Sequence, residues 1–379
     1  MAHKCQIYLV PGFFGFTSLG AYNYFYRVHD TLKKYLWEEY DLDIEIVQCP
    51  TQPTSSLRRR ALVISDTVKS SGGLSADSIH FIGHSTGGLD VRLLTTPGVR
   101  LRTDQVENEI GKRTKSVTTI STPHFGTPIA GFFTTLQGRH ILQILTTMAS
   151  NRAGKKSLFW ASKALTFAAN FDDFVGRKDT FLDHMVERLF QHISMDPNDP
   201  IWTFLEEVKN DQGAIIQLTP EGMHLFNAAV ADREGVDYRC VVTVVEKMQW
   251  SYILSSLKSP IESSSAFLFY FLHSLAGREH KHYPYPSPAD KLEAQLQEKL
   301  SFPINSKSND GISPALSQLY GELIDVEVAD HLDVVGQFKN AGGELYADWL
   351  YSGANFNEEK FQQTWKKIGD KIAETELRS

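Results

Sequence analysis

The stretch IHFIGHSTGGLDVRLL, residues 79–94, decides how this chain is expected to fold. Residues 79–82 form a short apolar run that predicts a strand. After Gly88, the apolar residues of 89–94 predict a helix. Between them lies a turn that contains three glycines, so the chain passes from strand to helix within a few residues. Such a direct passage is typical of proteins in which strands and helices alternate.

The same alternation extends along the chain in both directions. Apolar and alternating patterns predict further strands at residues 6–10, 44–47, 116–120, 238–245 and 322–328. Helical patterns separate them, and a last helix carries Phe361, Trp365, Ile368 and Ile372 on one face. The sequence therefore predicts an α/β fold with a mostly parallel central sheet and helices on both faces.

This rhythm breaks in the middle of the chain. From residue 129 to about 217 the sequence is helix-like, rich in Phe and Trp, and without strand signals. We therefore expect a core in two parts, residues 1–128 and 236–379, interrupted by a helical cap or lid at 129–235. The second part contains a further irregular insertion at about 248–303.

Composition narrows the class of protein. Of the 379 residues, 42% are hydrophobic and 22% are charged, which suits a full globular core. The net charge is -7 and nothing in the sequence suggests a basic face, so no nucleic-acid partner is expected. The run Arg58-Arg59-Arg60 is interpreted as a solvated helix face.

The cysteines and the apolar runs bear on the compartment. Cys5, Cys49 and Cys240 have no paired spacing, so we expect buried reduced thiols. No secretory signal is visible, which predicts a cytoplasmic protein, although a trimmed secreted form would look the same. No apolar run reaches the roughly 18 residues needed to cross a bilayer.

The turn after residue 82 also carries a chemical motif. Gly83-His84-Ser85-Thr86-Gly87 matches G-x-S-x-G, and it lies between a predicted strand and a predicted helix. In that position the pattern predicts a strained turn that exposes a serine nucleophile, with glycines where side chains would collide with backbone. The alternative is an ordinary glycine-rich turn. Because the motif lies between a predicted strand and a predicted helix, we predict that Ser85 is the nucleophile.

A serine nucleophile needs a base, and the base needs a carboxylate that orients it. The chain order serine, acid, histidine favours Asp310, in the turn Asn309-Asp310-Gly311, and His331, which follows the last predicted strand. Three other acids compete for the first role: Asp325, Asp330 and Asp333. His84, beside the serine, is interpreted as a packing residue.

The oxyanion of the tetrahedral intermediate needs two backbone N–H donors. One is expected from Thr86, directly after the serine, and the other from Phe13, in the loop after the first strand. The alternative for that loop is a simple strand-ending turn. The sequence contains no Walker A pattern, no CxxC and no HExxH motif.

Together these segments resemble the bacterial lipases of the α/β-hydrolase fold. The resemblance rests on LVPGFFG, FIGHSTGGLDVR, ISTPHFGTPIA, LTPEGMHLFN, SNDGISPALSQLYG and ADHLDVVGQF, in that order. It implies ester hydrolysis through an acyl-enzyme, no required cofactor, and a lid after Pro128. One departure is Pro11, since lipases of this group usually carry His before the oxyanion glycine.

The resemblance also raises a metal site. Some of these lipases hold a structural calcium ion through the Asp two residues after the catalytic His and a backbone carbonyl four residues further on. Asp333 and Gln337 match those positions. A local hydrogen bond made by Asp333 is the alternative.

The function expected from these residues is a lipase-like serine carboxylester hydrolase that cleaves esters of medium to long acyl chains. The apolar cap is expected to bind acyl chains. The expected partners of the protein are an ester or lipid substrate and, transiently, lipid surfaces. An intracellular polyester hydrolase or an acyltransferase would use the same triad. A non-catalytic binding module of this fold is the alternative from another class. The sequence does not indicate the oligomeric state.

Overall fold

The computed structural model describes residues 3–134 and 213–378 apart from short gaps, which are residues 14–17, 20–21, 53, 103, 247–259, 281–284, 287–289 and 340–349. The strands are β1 (Cys5–Val10), β2 (Ser18–Leu19), β3 (Tyr22–Asn23), β4 (Ile44–Gln48), β5 (Ser78–His84), β6 (Thr114–Ile120), β7 (Asp237–Val244) and β8 (Glu322–Val328). The helices are α1 (Val28–Tyr40), α2 (Leu57–Ser70), α3 (Thr86–Thr95), α4 (Val106–Arg113), α5 (Pro128–Thr134), α6 (Gly213–Gln217), α7 (Pro220–Ala229), α8 (Pro260–Ala276), α9 (Asp290–Lys299) and α10 (Glu358–Leu377).

Six strands form one sheet in the order β4-β1-β5-β6-β7-β8, and every neighbouring pair is parallel. The short strands β2 and β3 pair antiparallel with each other. All six strands predicted from the sequence are present in this sheet. Parallel strands point their carboxyl ends to one edge, so the loops after β1, β5 and β8 meet there.

Helices cover both faces of the sheet, as predicted. On one face, Ile7 and Leu9 of β1 pack with residues of α1 and α10. On the other face, Tyr8 and Val10 pack with residues of α2, α3 and α4. Because successive side chains of a strand point to opposite faces, one apolar strand serves two separate cores. This explains the continuous apolar run seen in the sequence.

The last helix, α10, packs onto the sheet through the predicted face. Its buried residues include Phe361, Trp365, Ile368 and Ile372. At its start the side chain of Asn357 accepts a hydrogen bond from the N–H of Lys360, which satisfies one of the free donors of the first turn. The indole of Trp365 donates to the carbonyl of Val334 over 2.9 Å. That bond ties α10 to the loop that follows β8.

The predicted cap at 129–235 falls largely outside the described residues, since 135–212 are not among them. Its described ends are α5, α6 and α7, and β7 begins at Asp237. Within the predicted insertion at 248–303 the described part contains α8 and α9. Within the described ranges, no helix combines the length and apolar character required to cross a membrane.

Two expectations from composition have different outcomes. Cys5, Cys49 and Cys240 are buried and free, as predicted. The expectation that the whole run Arg58-Arg59-Arg60 is solvated is wrong for Arg60, which is fully buried. Arg60 forms an ion pair of 2.7 Å with the buried Asp90, which explains how its charge is accommodated.

Candidate active site

Ser85 stands at the junction of β5 and α3, in the turn that the sequence predicted. Its φ of 55° and ψ of -128° lie in a region that residues other than glycine rarely adopt. The N–H of Ser85 donates to the carbonyl of Ile120 over 2.8 Å, so the neighbouring strand β6 holds the strained residue in place. Strain that persists in this way is typical of functional turns.

The glycines on either side of Ser85 allow this turn. A Cβ added to Gly83 would lie 2.5 Å from the backbone nitrogen of Gly88, and one added to Gly87 would lie 2.2 Å from the carbonyl oxygen of Val10. Both distances are far below van der Waals contact. The close approach of β1, β5 and α3 therefore requires glycine at both positions, which is the reason that the sequence pattern suggested.

The structure brings Asp310 and His331 together. Nδ1 of His331 lies 2.8 Å from Oδ2 of Asp310, and both side chains are buried. The backbone N–H of His331 also donates to the carbonyl of Asp310 over 3.0 Å. Oδ1 of Asp310 accepts hydrogen bonds from the N–H groups of Ile312 and Ser313. The carboxylate is therefore held by its own turn with one oxygen directed to the imidazole.

Two further side chains orient the same carboxylate, and the sequence analysis did not find them. The hydroxyl of Thr243, at the end of β7, donates to Oδ2 of Asp310 over 2.7 Å. The amide of Gln318 lies 3.3 Å from the same oxygen and donates to the carbonyl of Thr243 over 2.9 Å. Polar residues at the carboxyl end of a core strand were the signal that could have pointed to Thr243.

The competing acids have other partners. Asp325 forms ion pairs with Lys299 and Lys367. Oδ1 of Asp330 accepts from the N–H groups of Leu332 and Asp333, which is a local turn interaction. Of the four candidate acids, Asp310 is therefore the one whose carboxylate contacts the ring of His331 among the described residues.

His84 connects the base to the loop after β1. Its Nε2 lies 2.8 Å from the backbone carbonyl of His331, and its Nδ1 lies 2.6 Å from the hydroxyl of Tyr24. A carbonyl only accepts, so Nε2 carries the proton and Nδ1 accepts from Tyr24. The hydroxyl of Tyr24 in turn accepts from the N–H of Gly12 over 3.0 Å.

This chain of contacts refines the interpretation of His84 as a packing residue. Burial, and then the neighbouring His331, lower the pKa of His84 well below its ordinary value, so the ring stays neutral. The rings of His84 and His331 are 4.7 Å apart between centroids. The residue directly before Ser85 therefore packs on the histidine and also binds its backbone.

The loop after β1 lies against the serine. A Cβ added to Gly12 would lie 2.4 Å from the Cβ of Ser85, so only glycine allows this approach. The carbonyl of Pro11 accepts a hydrogen bond of 2.5 Å from the guanidinium of Arg60. The Pro11 carbonyl is thus turned toward Arg60, and the Gly12 N–H is turned toward Tyr24. Phe13 is the next residue of this loop.

Thr86, the other residue expected to donate to the oxyanion, begins helix α3. The first N–H groups of a helix lack partners within the helix, and its amino-terminal end carries a partial positive charge. Phe13 packs in a partly buried position against a cluster that includes Leu57, Leu89 and Ala130. Thr86 thus follows Ser85 directly in the chain, and Phe13 follows Gly12, the residue that approaches Ser85.

The two residues expected at a calcium site also have contacts within the protein. Oδ2 of Asp333 accepts from the N–H of Asp330 over 2.9 Å, which is the local hydrogen bond considered as the alternative. The amide of Gln337 donates to the carbonyl of Tyr24 over 3.3 Å. Calcium takes about six to eight oxygen ligands. The calcium site at Asp333 and Gln337 stays a prediction.

Comparison with known proteins adds the fold relationship. A scan against protein-family models and a search of curated proteins found no match. A lipase from Staphylococcus hyicus superposes with a TM-score of 0.56 at 15% identity, over 100% of this chain and 97% of that chain. Lipase 1 from Pelosinus fermentans superposes with a TM-score of 0.52 at 15% identity, over 98% of this chain and 99% of that chain. The chain therefore has the α/β-hydrolase fold and is structurally similar to bacterial lipases.

Proposed function

We propose that this chain is a lipase-like serine carboxylester hydrolase that works through an acyl-enzyme intermediate. The observation that carries the proposal is the meeting of a strained serine turn with a buried His–Asp pair. Ser85 has a φ of 55°, and the residue before it binds the backbone of His331, whose ring contacts Asp310. Serine, base and orienting acid are the parts that covalent ester hydrolysis requires.

The reaction follows from the roles proposed for these groups. Nε2 of His331 takes the proton of the Ser85 hydroxyl as its oxygen attacks the ester carbonyl. The N–H groups of Phe13 and Thr86 stabilise the resulting oxyanion. Collapse of the intermediate releases the alcohol, which takes its proton from His331, and leaves the acyl group on Ser85. Water then repeats the sequence and releases the acid, while Asp310 holds the imidazole in position.

Apolar residues next to the acid support medium or long acyl chains as substrates. Ile312, whose N–H binds Asp310, packs with a cluster formed by α5 and α8 that includes Ile129 and Leu275. Phe132 belongs to the same cluster, and its ring lies 6.3 Å from that of Phe271. Apolar surface next to a reactive centre favours acyl chains over polar substituents. Transient contact with lipid surfaces is part of this proposal, because such esters collect there.

Replacement of Ser85 by Ala tests the proposal. We expect loss of p-nitrophenyl ester hydrolysis and of labelling by a fluorophosphonate, with the circular dichroism spectrum unchanged. Ser65→Ala is the matched control, since Ser65 is also buried but lies on α2. We expect this variant to retain activity and labelling. A folded wild-type protein that is inert to every ester and to the fluorophosphonate would favour a binding module instead.

A panel of substrates tests the finer part. We expect kcat/KM to rise from short to medium or long acyl chains, measured on p-nitrophenyl esters and on triglycerides. Turnover of short-chain esters alone would contradict the proposed acyl preference. A polyester in the panel, and an added alcohol as acyl acceptor, separate a polyester hydrolase and an acyltransferase, because both would use the same serine.

A further inference from the structure

A second cluster of reactive side chains lies at the opposite end of β5 from Ser85. Sγ of Cys5, a ring nitrogen of His80 and a carboxylate oxygen of Glu376 all lie within 4.8 Å of one another. Nε2 of His80 is 2.8 Å from Oε1 of Glu376. Nε2 of His3 is 2.7 Å from the other oxygen of the same carboxylate. Three groups that can bind a metal ion therefore surround one point, and His3 lies beside the same carboxylate.

The fold brings these residues together from three parts of the chain. Cys5 is the first residue of β1, and His3 precedes it by two positions, so both side chains reach the same face of the sheet. His80 belongs to β5, the parallel neighbour of β1, where Cys5 lies opposite Ser78. Glu376 belongs to the last turn of α10, which covers this face.

The cluster is protected from solvent on the side of the sheet. Cys5 is 3% exposed, His80 is 0% exposed, and the side chain of Glu376 is 3% exposed. His3 is on the solvent side, with its side chain 54% exposed. Three buried ligands, with His3 beside them on the solvent side as a fourth, match the ligand number of a closed, four-coordinate structural metal site.

We propose that Cys5, His80 and Glu376 bind a divalent transition metal ion of the zinc type, with His3 moving in from the solvent side as the fourth ligand. Thiolate, imidazole and carboxylate are the ligands that zinc takes in proteins. One thiolate and one carboxylate together balance the two positive charges of the ion, so the buried site is neutral, which limits the cost of burying charge. Binding replaces the S–H bond of Cys5 by a bond from sulfur to the metal and releases the thiol proton to solvent.

Two contacts around the cluster suit this role. Nδ1 of His80 lies 2.7 Å from the hydroxyl oxygen of Ser116. In the metal-free cluster Nε2 donates to the carboxylate of Glu376; on binding, the ring proton moves to Nδ1, which then donates to this oxygen and leaves the lone pair of Nε2 free for the metal. The hydroxyl of Ser78 donates to Oε2 of Glu376 over 3.0 Å and orients the carboxylate. A purely hydrogen-bonded cluster would use the same contacts, so an experiment must separate the two.

The distances indicate what binding must change. A tetrahedral ion with ligand bonds of about 2.0–2.3 Å holds its ligand atoms about 3.3–3.8 Å apart. The 2.8 Å hydrogen bond between His80 and Glu376 must therefore open by about 0.5 Å. That is a small movement for a carboxylate on the last turn of a helix. The bound ion would tie α10 to β1 and β5, away from the serine.

Metal binding by the whole chain tests the proposal. The purified protein is stripped with EDTA, dialysed against zinc and measured for metal content, and a second sample is titrated with cobalt. We expect about one zinc ion per chain and a thiolate-to-cobalt charge-transfer band in the wild type. Cys5→Ser should lose the band, and Glu376→Gln should retain less zinc. Cys240→Ser is the matched control, since Cys240 is an equally buried free cysteine on β7.

Measurements of stability and folding keep the test decisive. Zinc should raise the melting temperature of the wild type and of Cys240→Ser by about 5–10 °C, with no rise in Cys5→Ser. The circular dichroism spectrum reports whether each variant is folded, independently of any reaction at Ser85, so a failed fold is recognised as such. The proposal is overturned if folded wild type gives no cobalt–thiolate band, or if Cys5→Ser and Glu376→Gln bind zinc as the wild type does.

Discussion

Nδ1 of His331 lies 2.8 Å from Oδ2 of Asp310, although the two residues are 21 positions apart and β8 lies between them. The same carboxylate oxygen accepts a hydrogen bond from the hydroxyl of Thr243. The other oxygen accepts two backbone N–H groups. Every described partner of Asp310's carboxylate can thus act as a donor to it, which makes the side chain a rigid acceptor for the imidazole N–H.

Asp310→Asn should lower kcat by about 10³–10⁴-fold with little change in KM. The carboxylate of Asp310 accepts hydrogen bonds from all of its described partners, and the NH₂ of an asparagine would face those donors with donors of its own. The imidazole then loses its orientation and its preferred tautomer. Steady-state kinetics on a p-nitrophenyl ester measures the effect. Asp325→Asn is the control, because Asp325 is a competing acid in sequence but pairs with Lys299 and Lys367. Equal losses in both variants would refute the assignment.

Tyr24→Phe should lower kcat about tenfold and leave KM nearly unchanged. Its hydroxyl bridges the N–H of Gly12 and Nδ1 of His84, and His84 in turn binds the backbone of His331. Loss of the bridge leaves two buried groups unsatisfied beside the serine. Tyr24 is therefore a positioning residue in this prediction, and the split between kcat and KM is the readout.

Tyr8→Phe is the matched control for Tyr24→Phe. Tyr8 is also buried, and its hydroxyl binds Gln6 and Ser71, at the other end of β1 from the serine. Both variants lose buried hydrogen bonds, so both should unfold at lower urea concentrations. If the two variants have the same kcat, the contacts of Tyr24 stabilise the fold and do not position the reacting groups.

Gly12→Ala should lower kcat/KM by at least about 100-fold, because a methyl group would lie 2.4 Å from the Cβ of Ser85 and push the loop away from it. The expected loss is of the size seen when one oxyanion donor is removed. Gly98→Asn serves as the control: Gly98 has a φ of 73° with open space around it, and Asn tolerates that conformation. Unchanged kinetics of Gly12→Ala would exclude the loop from the reaction.

His124 should make the free energy of unfolding fall as the pH is lowered. Burial, and then the Arg92 guanidinium 3.1 Å away, lower the pKa of His124 well below its ordinary value of 6.5. The unfolded chain therefore binds a proton below about pH 6.5 that the native chain does not, so stability is lost as pH falls through that range. One such histidine accounts for about 1.4 kcal/mol between about pH 7.5 and 5.5.

His124→Gln removes this contribution, and urea unfolding at the two pH values measures it. Glutamine can still accept from Arg92 and donate to Thr119, the two present partners of the ring. We expect the variant to lose about 1.4 kcal/mol less than the wild type between the two pH values. An identical loss in both proteins would show that His124 takes up no extra proton on unfolding.

Local patterns in the sequence were sufficient for much of the fold. Alternating or continuous apolar runs predicted all six strands of the sheet, because burial on one or both faces leaves a period that a short window records. The glycines around Ser85 predicted the turn, because a Cβ at Gly87 would lie only 2.2 Å from the carbonyl oxygen of Val10. Asp310 and His331 followed from chain order, since the strands place their loops at one edge.

Only the tertiary structure decided which side chains meet across distant segments. Arg60 stands in a basic run that reads as solvated, yet it is buried because Asp90 and the carbonyl of Pro11 face it from other elements. The partners of His84, and the meeting of Cys5 with Glu376, likewise join segments that no local pattern relates. Periodicity records which face of an element is buried. It does not record what lies opposite, and that contact decides the chemistry.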